Sequence, residues 1–206
     1  MKQQILFSNH LHKAIETAVS LGQKQYDRIF VLTDETTEQL CRPLLIGCHT
    51  IETVSDIVIG ATDTYKTLDT LTDVWQRLVN GGASRHSLLI NLGGGMVTDL
   101  GGFAASTFKR GIDFINIPTT LLAMVDAAVG GKTGINFNGL KNEVGVFNES
   151  KAVIIDTEFL RTLDEGNLRS GFAEMLIRKP HAMHEASSVA LLPLFCYTII
   201  IALTGA

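Results

Sequence analysis

Between Ile5 and about Asp156, short unbroken apolar runs alternate with stretches whose apolar residues recur at helical spacing, and few folds accept that alternation. The runs Arg28 to Thr33, Ile57 to Gly60, Ser87 to Leu92, Phe114 to Pro118 and Ala152 to Asp156 are rich in Val, Ile and Leu. Strands of that texture are buried on both faces, as in a parallel sheet covered by helices. Between them, Leu68, Leu71, Val74, Trp75 and Leu78 repeat at helical spacing, with Gly81-Gly82 as a stop. Leu11, Ile15 and Val19 mark an earlier helix ended by Gly22. The expected fold class is α/β, a doubly wound sheet whose ligands bind at the carboxyl ends of the strands.

After Asp156 the texture changes: Glu158 to Met175 reads as helical, with Leu160, Leu163, Leu168 and Phe172 on or near one face. The chain thus divides into an α/β domain over 1–157, the start of a helical domain over 158–176, and a tail over 177–206. With 46% hydrophobic and 18% charged residues, the 206 residues are suited to a packed core and not to disorder. Lys and Arg number 17 against 21 Asp and Glu, with no basic stretch, so nucleic acid is not an expected partner. Cys41, Cys48 and Cys196 form neither a CxxC pair nor an even framework, and no charged-then-apolar leader opens the chain, so a cytoplasmic location is expected. The apolar run Val189 to Leu203 contains Pro193 and falls short of the ~20 residues that cross a bilayer.

Chemistry concentrates in the middle of the chain. Leu92-Gly93-Gly94-Gly95-Met96-Val97-Thr98-Asp99 follows a strand and precedes a helix carrying Leu100, Phe103 and Ala104. Glycines there let the backbone approach a pyrophosphate, and the N–H groups of the helix start favour its charge; a plain tight turn would use the same residues. Arg110 to Asp126 ends a strand in Thr119 and Thr120 and then places the Asp126 carboxylate one or two helical turns later. Gly130-Gly131-Lys132-Thr133-Gly134-Ile135-Asn136 and Lys141-Asn142 add two cations and two amides to what reads as a glycine-rich loop. Lys suits phosphate, Asn bridges hydroxyls, and Asp126 is placed to hold or deprotonate a sugar hydroxyl. In that order they favour a phosphorylated polyol as substrate, although each alone is compatible with a solvated surface.

The blocks GGGMVTDLGGF, RGIDFINIPTTLLAMVDAAVGGKTGIN, KNEVGVF and SGFAEM resemble the 3-dehydroquinate synthase family in order and spacing, densely over Gly93 to Glu174 and more loosely before. The resemblance implies a Rossmann-like NAD-binding domain followed by an all-α metal-binding domain. It implies that NAD lies across Gly94 and Gly95 with Asp99 nearby, helped by Thr119 and Thr120. Upstream it assigns Asp34 to ribose hydroxyls, for which capping a helix over Glu35 to Leu40 is the alternative. It matches Asp63 and Lys66 to an acidic-x-x-Lys pair whose acid is normally Glu. Asp126, Lys132, Lys141 and Asn142 would surround the phosphorylated sugar acid, with Arg110 reaching into a neighbouring subunit's site, which implies a homodimer.

The implied chemistry is a transient oxidation by NAD, elimination of phosphate, return of the hydride, ring opening and an aldol closure. A divalent metal, zinc foremost and cobalt as an alternative, would polarise the hydroxyl being oxidised. Glu174 matches the first of three metal ligands, and the two downstream histidines have no counterpart. After Leu176 the match stops, with Ile177 where the family has lysine, as a shifted reading frame or chimeric gene would produce. His181, His184 and Glu185 are weak substitute ligands, since Pro180 disturbs their approach. The alternatives to an active synthase are a catalytically silent NAD-binding remnant and a related sugar-phosphate cyclase.

Overall fold

The computed structural model describes residues 3–52 and 54–178. Its strands are β1 (Gln4–Ser8), β2 (Ile29–Asp34), β3 (Ser55–Ile59), β4 (Leu88–Gly93), β5 (Asp113–Pro118), β6 (Lys132–Phe137), β7 (Leu140–Phe147) and β8 (Ala152–Asp156). All but β6 and β7 form one parallel sheet in the order β1-β8-β5-β4-β2-β3. The five expected strands are present, each within two residues of its sequence bounds, and β1 is added at the edge.

Helices cover both faces of the sheet, which is why the central strands are buried at nearly every position and mostly apolar. On one side α1 (Leu11–Ser20) packs Leu11, Ile15 and Ala18 against Leu88, Ile90, Ile115 and Ile154. On the other, α3 (Leu68–Asn80) and α4 (Gly95–Thr107) cover Phe30, Leu32, Leu89 and Phe114 with Leu71, Val74, Leu78, Val97 and Leu100. The short α2 (Glu35–Leu40) joins β2 to the segment before β3.

Two expectations need correction. The segment Glu158 to Met175 is not one helix: 3-10 turns over Thr157–Thr162 give way at Leu163, whose backbone is extended, to α5 (Glu165–Arg178). Asp164 makes the break by accepting the Asn167 N–H at 2.8 Å. The glycine-rich loop after Gly131 is instead the antiparallel hairpin β6-β7. Its turn is Asn138-Gly139, both at positive φ (53° and 82°), as a two-residue hairpin loop requires. Nothing lies within 4 Å of a Cβ built on Gly139, so Gly139→Ala isolates the backbone cost. Urea titration should show a loss of about 1 kcal/mol; an unchanged midpoint would mean the turn adopts another conformation.

Candidate active site

β2 leads the chain toward β3, whereas β4 leads it the opposite way toward β5, so the gap between the ends of β2 and β4 is a topological switch point. Open α/β sheets bind ligands outside the carboxyl ends of strands at such a point. Asp34 terminates β2, Gly93 terminates β4 and Thr119 follows β5. Most of the expected cofactor residues are therefore gathered by topology alone.

The glycine turn is tightly enclosed. Gly94 is the residue before α4, and a Cβ on it would lie 3.1 Å from the Thr120 methyl; one on Gly95 would lie 3.1 Å from the Ala127 Cβ. The Thr119 N–H donates to the Gly93 carbonyl at 3.0 Å, holding the end of β5 beside the turn. The threonine hydroxyls then diverge. Thr120 Oγ1 accepts the Ala123 N–H at 3.2 Å and caps the turn that follows. Thr119 Oγ1 is buried without a hydrogen-bond partner among the described residues, beside the Cys41 thiol, which burial pushes up in pKa. The Cys41 thiol, which interacts with this hydroxyl, is a weak partner and leaves it capacity to bond at the rim of the glycine turn.

Asp34 caps α2. Its Oδ1 accepts the Thr37 N–H at 2.8 Å while Thr37 Oγ1 accepts the Asp34 N–H at 3.0 Å, a reciprocal capping box. The 3-10 turn Asp63–Tyr65 follows β3 and is entered through Thr62 at φ 86°, an unusual conformation for a β-branched residue.

The centre of the site is Lys66, whose side chain is 4% exposed. Its Nζ donates to Asp99 Oδ2 at 2.6 Å, one turn into α4, and to Asn142 Oδ1 on the hairpin. Burial raises the Asp99 carboxyl pKa, despite the adjacent Lys66 ammonium. Asp63 lies further out, where Lys141 Nζ approaches its Oδ2 at 3.0 Å. Burial would raise the Asp63 pKa, but the bonds from Lys141 and Asn136 and the charges of Lys141 and Lys66 outweigh it and hold it below the usual range. The acidic-x-x-Lys pair, Asp99 and the Lys141-Asn142 pair therefore form one connected network.

Next to it opens a cleft of about 450 Å³, lined by Asp99, Asp126, Lys132, Asn142, Glu143 and Phe147 among others. Asp126 lies on a π-helical turn, Ala123–Ala127, a rare geometry often found at functional sites. Lys132 opens β6 at the cleft wall with an exposed side chain.

Arg110 does not join this cleft. It is exposed beyond the far end of α4, which is 13 residues or about 20 Å long. Glu174 lies on α5, and among the described residues no group of three His, Cys, Asp or Glu is placed to hold a metal ion. The described donor set thus does not make up a metal site. His181, His184, Glu185 and the run Val189 to Leu203 lie outside the described residues.

The motif reading counts Asn136 among the amides of the loop and does not single out Glu143. The hairpin signal Asn138-Gly139 brings Glu143 to the cleft and sets Asn136 opposite it, since it fixes which residues of β6 and β7 face each other.

Residues 56–170 match the family model described as 3-dehydroquinate synthase N-terminal. A 3-dehydroquinate synthase of Parabacteroides distasonis is 56% identical over 156 residues, covering 76% of this chain and 44% of that protein. The crystal structure of 2-deoxy-scyllo-inosose synthase complexed with carbaglucose-6-phosphate, NAD+ and Co2+ matches with a TM-score of 0.75 at 25% identity, covering 84% of this chain and 48% of that one. A 2-epi-5-epi-valiolone synthase from Streptomyces hygroscopicus with NAD+ and Zn2+ bound gives a TM-score of 0.74 at 34% identity, covering 85% and 49%. The chain spans about half the length of the curated relatives it matches. With the doubly wound sheet, the glycine turn and the family match in agreement, the chain belongs to the 3-dehydroquinate synthase family.

Proposed function

We propose that residues 1–157 are the NAD-binding domain of a 3-dehydroquinate synthase, that 158–176 begin its helical domain, and that the reaction served is conversion of 3-deoxy-arabino-heptulosonate 7-phosphate to 3-dehydroquinate and phosphate. One observation carries this reading: Lys66 bridges Asp99, beside the glycine turn, to Asn142 at the polar cleft, so a nucleotide site and a sugar site share a wall.

The residues present fit NAD. Gly94 and Gly95 leave room for a pyrophosphate at the start of α4, Thr119 offers a buried hydroxyl with only the weak Cys41 thiol beside it, and Asp34, Asp63, Lys66, Asp99 and Thr120 surround the switch point. When bound, NAD supplies a hydride acceptor that later returns the hydride. Lys132 and Lys141 bring positive charge to the phosphate end of the sugar, and Asn142 presents an amide to its hydroxyls. Asp126 holds a sugar hydroxyl and is placed to take its proton. Arg110, exposed at the far end of α4, serves the neighbouring subunit's cleft in a cytoplasmic homodimer. A divalent metal, zinc or cobalt, would be held by Glu174 together with further ligands and would polarise the hydroxyl being oxidised. No helix among the described residues is long and apolar enough to cross a membrane.

The test is NAD binding by calorimetry together with phosphate release from the heptulosonate phosphate under catalytic NAD. Release supports the synthase. NAD binding without release would leave a silent NAD-binding module, and turnover of a different sugar phosphate would indicate a related cyclase. Within the same assay, Gly94→Val should weaken NAD by about a hundredfold, or about 2.7 kcal/mol. The added methyls have no room against Thr120 except where the pyrophosphate would lie. Unchanged affinity in a folded variant would remove the glycine turn from the cofactor site.

A further inference from the structure

We propose that Asn136 is a positioning residue that sets the reach of the Asn142 side chain into the cleft, a role that rests on the synthase reading above. The ladder of the hairpin is regular on both sides of a single interruption. Ile135 pairs with Val144 and Phe137 with Leu140, so Asn136 alone faces Lys141, Asn142 and Glu143. Extra residues on one strand bend it and re-aim its side chains, a device common next to active sites. At the apex Asn142 has φ 54°, a left-handed conformation that asparagine tolerates better than most residues.

Such a bulge leaves backbone groups without ladder partners, and the Asn136 amide replaces them. Asn136 Oδ1 accepts the Asn142 N–H at 3.0 Å. Its Nδ2 donates to Asp63 Oδ2 and to the Asp63 carbonyl, both at 3.3 Å, and its own N–H donates to the Lys66 carbonyl at 2.8 Å. One side chain thus ties the bulge apex to the segment carrying the acidic-x-x-Lys pair. With the apex held there, the Asn142 amide meets the buried Lys66 ammonium and Lys141 meets Asp63. Asn136 does not line the cleft itself, so it acts through Asn142.

The experiment is a double-mutant cycle on the full chain saturated with NAD, titrated with 3-deoxy-arabino-heptulosonate 7-phosphate. Asn136→Ala should weaken the sugar phosphate about tenfold and leave NAD affinity within about twofold. In an Asn142→Ala background, the same replacement should change sugar affinity by less than twofold, because its only route is already gone. A general loosening of the hairpin would subtract the same factor in both backgrounds, and that result, or unchanged affinity in Asn136→Ala, overturns the role. Should Asn136→Ala fail to fold, Asn136→Gln carries the test. It keeps the amide but displaces the acceptor, and should cost at least fivefold with Asn142 present and less than twofold without it. A parent chain that takes up NAD and no sugar phosphate would instead overturn the synthase reading on which the role rests.

Discussion

Gly101→Val should destabilise the chain by about 3–5 kcal/mol, enough to remove much of the stability of an ordinary domain. Gly101 lies in the middle of α4 where the helix presses on the sheet. A Cβ there would stand 2.0 Å from Asn91 Oδ1 and 2.7 Å from Leu32 Cδ2, far inside contact distance. Neither neighbour can withdraw easily. Leu32 is fully buried, and the Asn91 amide is pinned by its Nδ2 bond to Asn116 Oδ1 at 2.9 Å, while Asn116 Nδ2 holds the Ala128 carbonyl at 3.2 Å. Even Gly101→Ala, which gains up to about 1 kcal/mol of helix propensity, should be destabilising, since overpacking a tight core costs about 1–3 kcal/mol and sometimes more. Urea titrations of both variants check this; an alanine variant as stable as the parent would mean that α4 can lift off the sheet without penalty.

Lys66→Met should cost about 3–5 kcal/mol at neutral pH, because removing one partner of a buried ion pair leaves the other uncompensated. The stranded group is Asp99, together with the Asn142 carbonyl that loses its donor. The loss should depend on pH with a definite sign. Burial already raises the Asp99 pKa in the folded chain. A carboxyl raised in this way contributes stability that is present below its unfolded pKa and is lost as pH rises through its folded pKa. Without the Lys66 ammonium the folded pKa climbs further. The deficit of Lys66→Met relative to the parent should therefore be largest above that folded pKa and shrink as pH falls toward the ordinary carboxylate range near ~4. Chemical denaturation at several pH values reads it directly, and a deficit that grows on acidification would mean that Asp99 is not the stranded group.

The sheet was legible because its central strands are buried on both faces, so β2, β4, β5 and β8 appear as apolar runs that little else explains. β1 was harder: Gln4 to Ser8 is an edge strand of mixed burial with polar ends. The hairpin has the sequence texture of a loop because Gly130, Gly131 and Gly134 crowd its start. In the fold Gly134 and Gly145 face each other across the ladder, where a Cβ on either would strike the opposite backbone. Asn138-Gly139 was the available signal for the turn. The glycine turn, Asp126 and Lys132 are visible as motif residues, and Asp34 divides between two readings that are compatible, since capping engages Oδ1. The Lys66 to Asn142 bond, spanning 76 positions, and the bulge that permits it have no local signature, because they arise from how the hairpin lies against the segment after β3.

The edge of the sheet also bears on how the chain is made. β1 has one neighbour, β8, with Gln4 opposite Ala152 and Ser8 opposite Asp156. At about 5–20 residues per second, a ribosome takes roughly 7–30 s to deliver that partner after β1 has emerged. Throughout that interval Ile5 and Leu6 have no ladder to join, while β2, β3, β4 and β5 are free to pair among themselves. β1 is thus seated only once β8 has arrived, and conditions that slow or pause translation should leave an incomplete sheet with an open edge along β5.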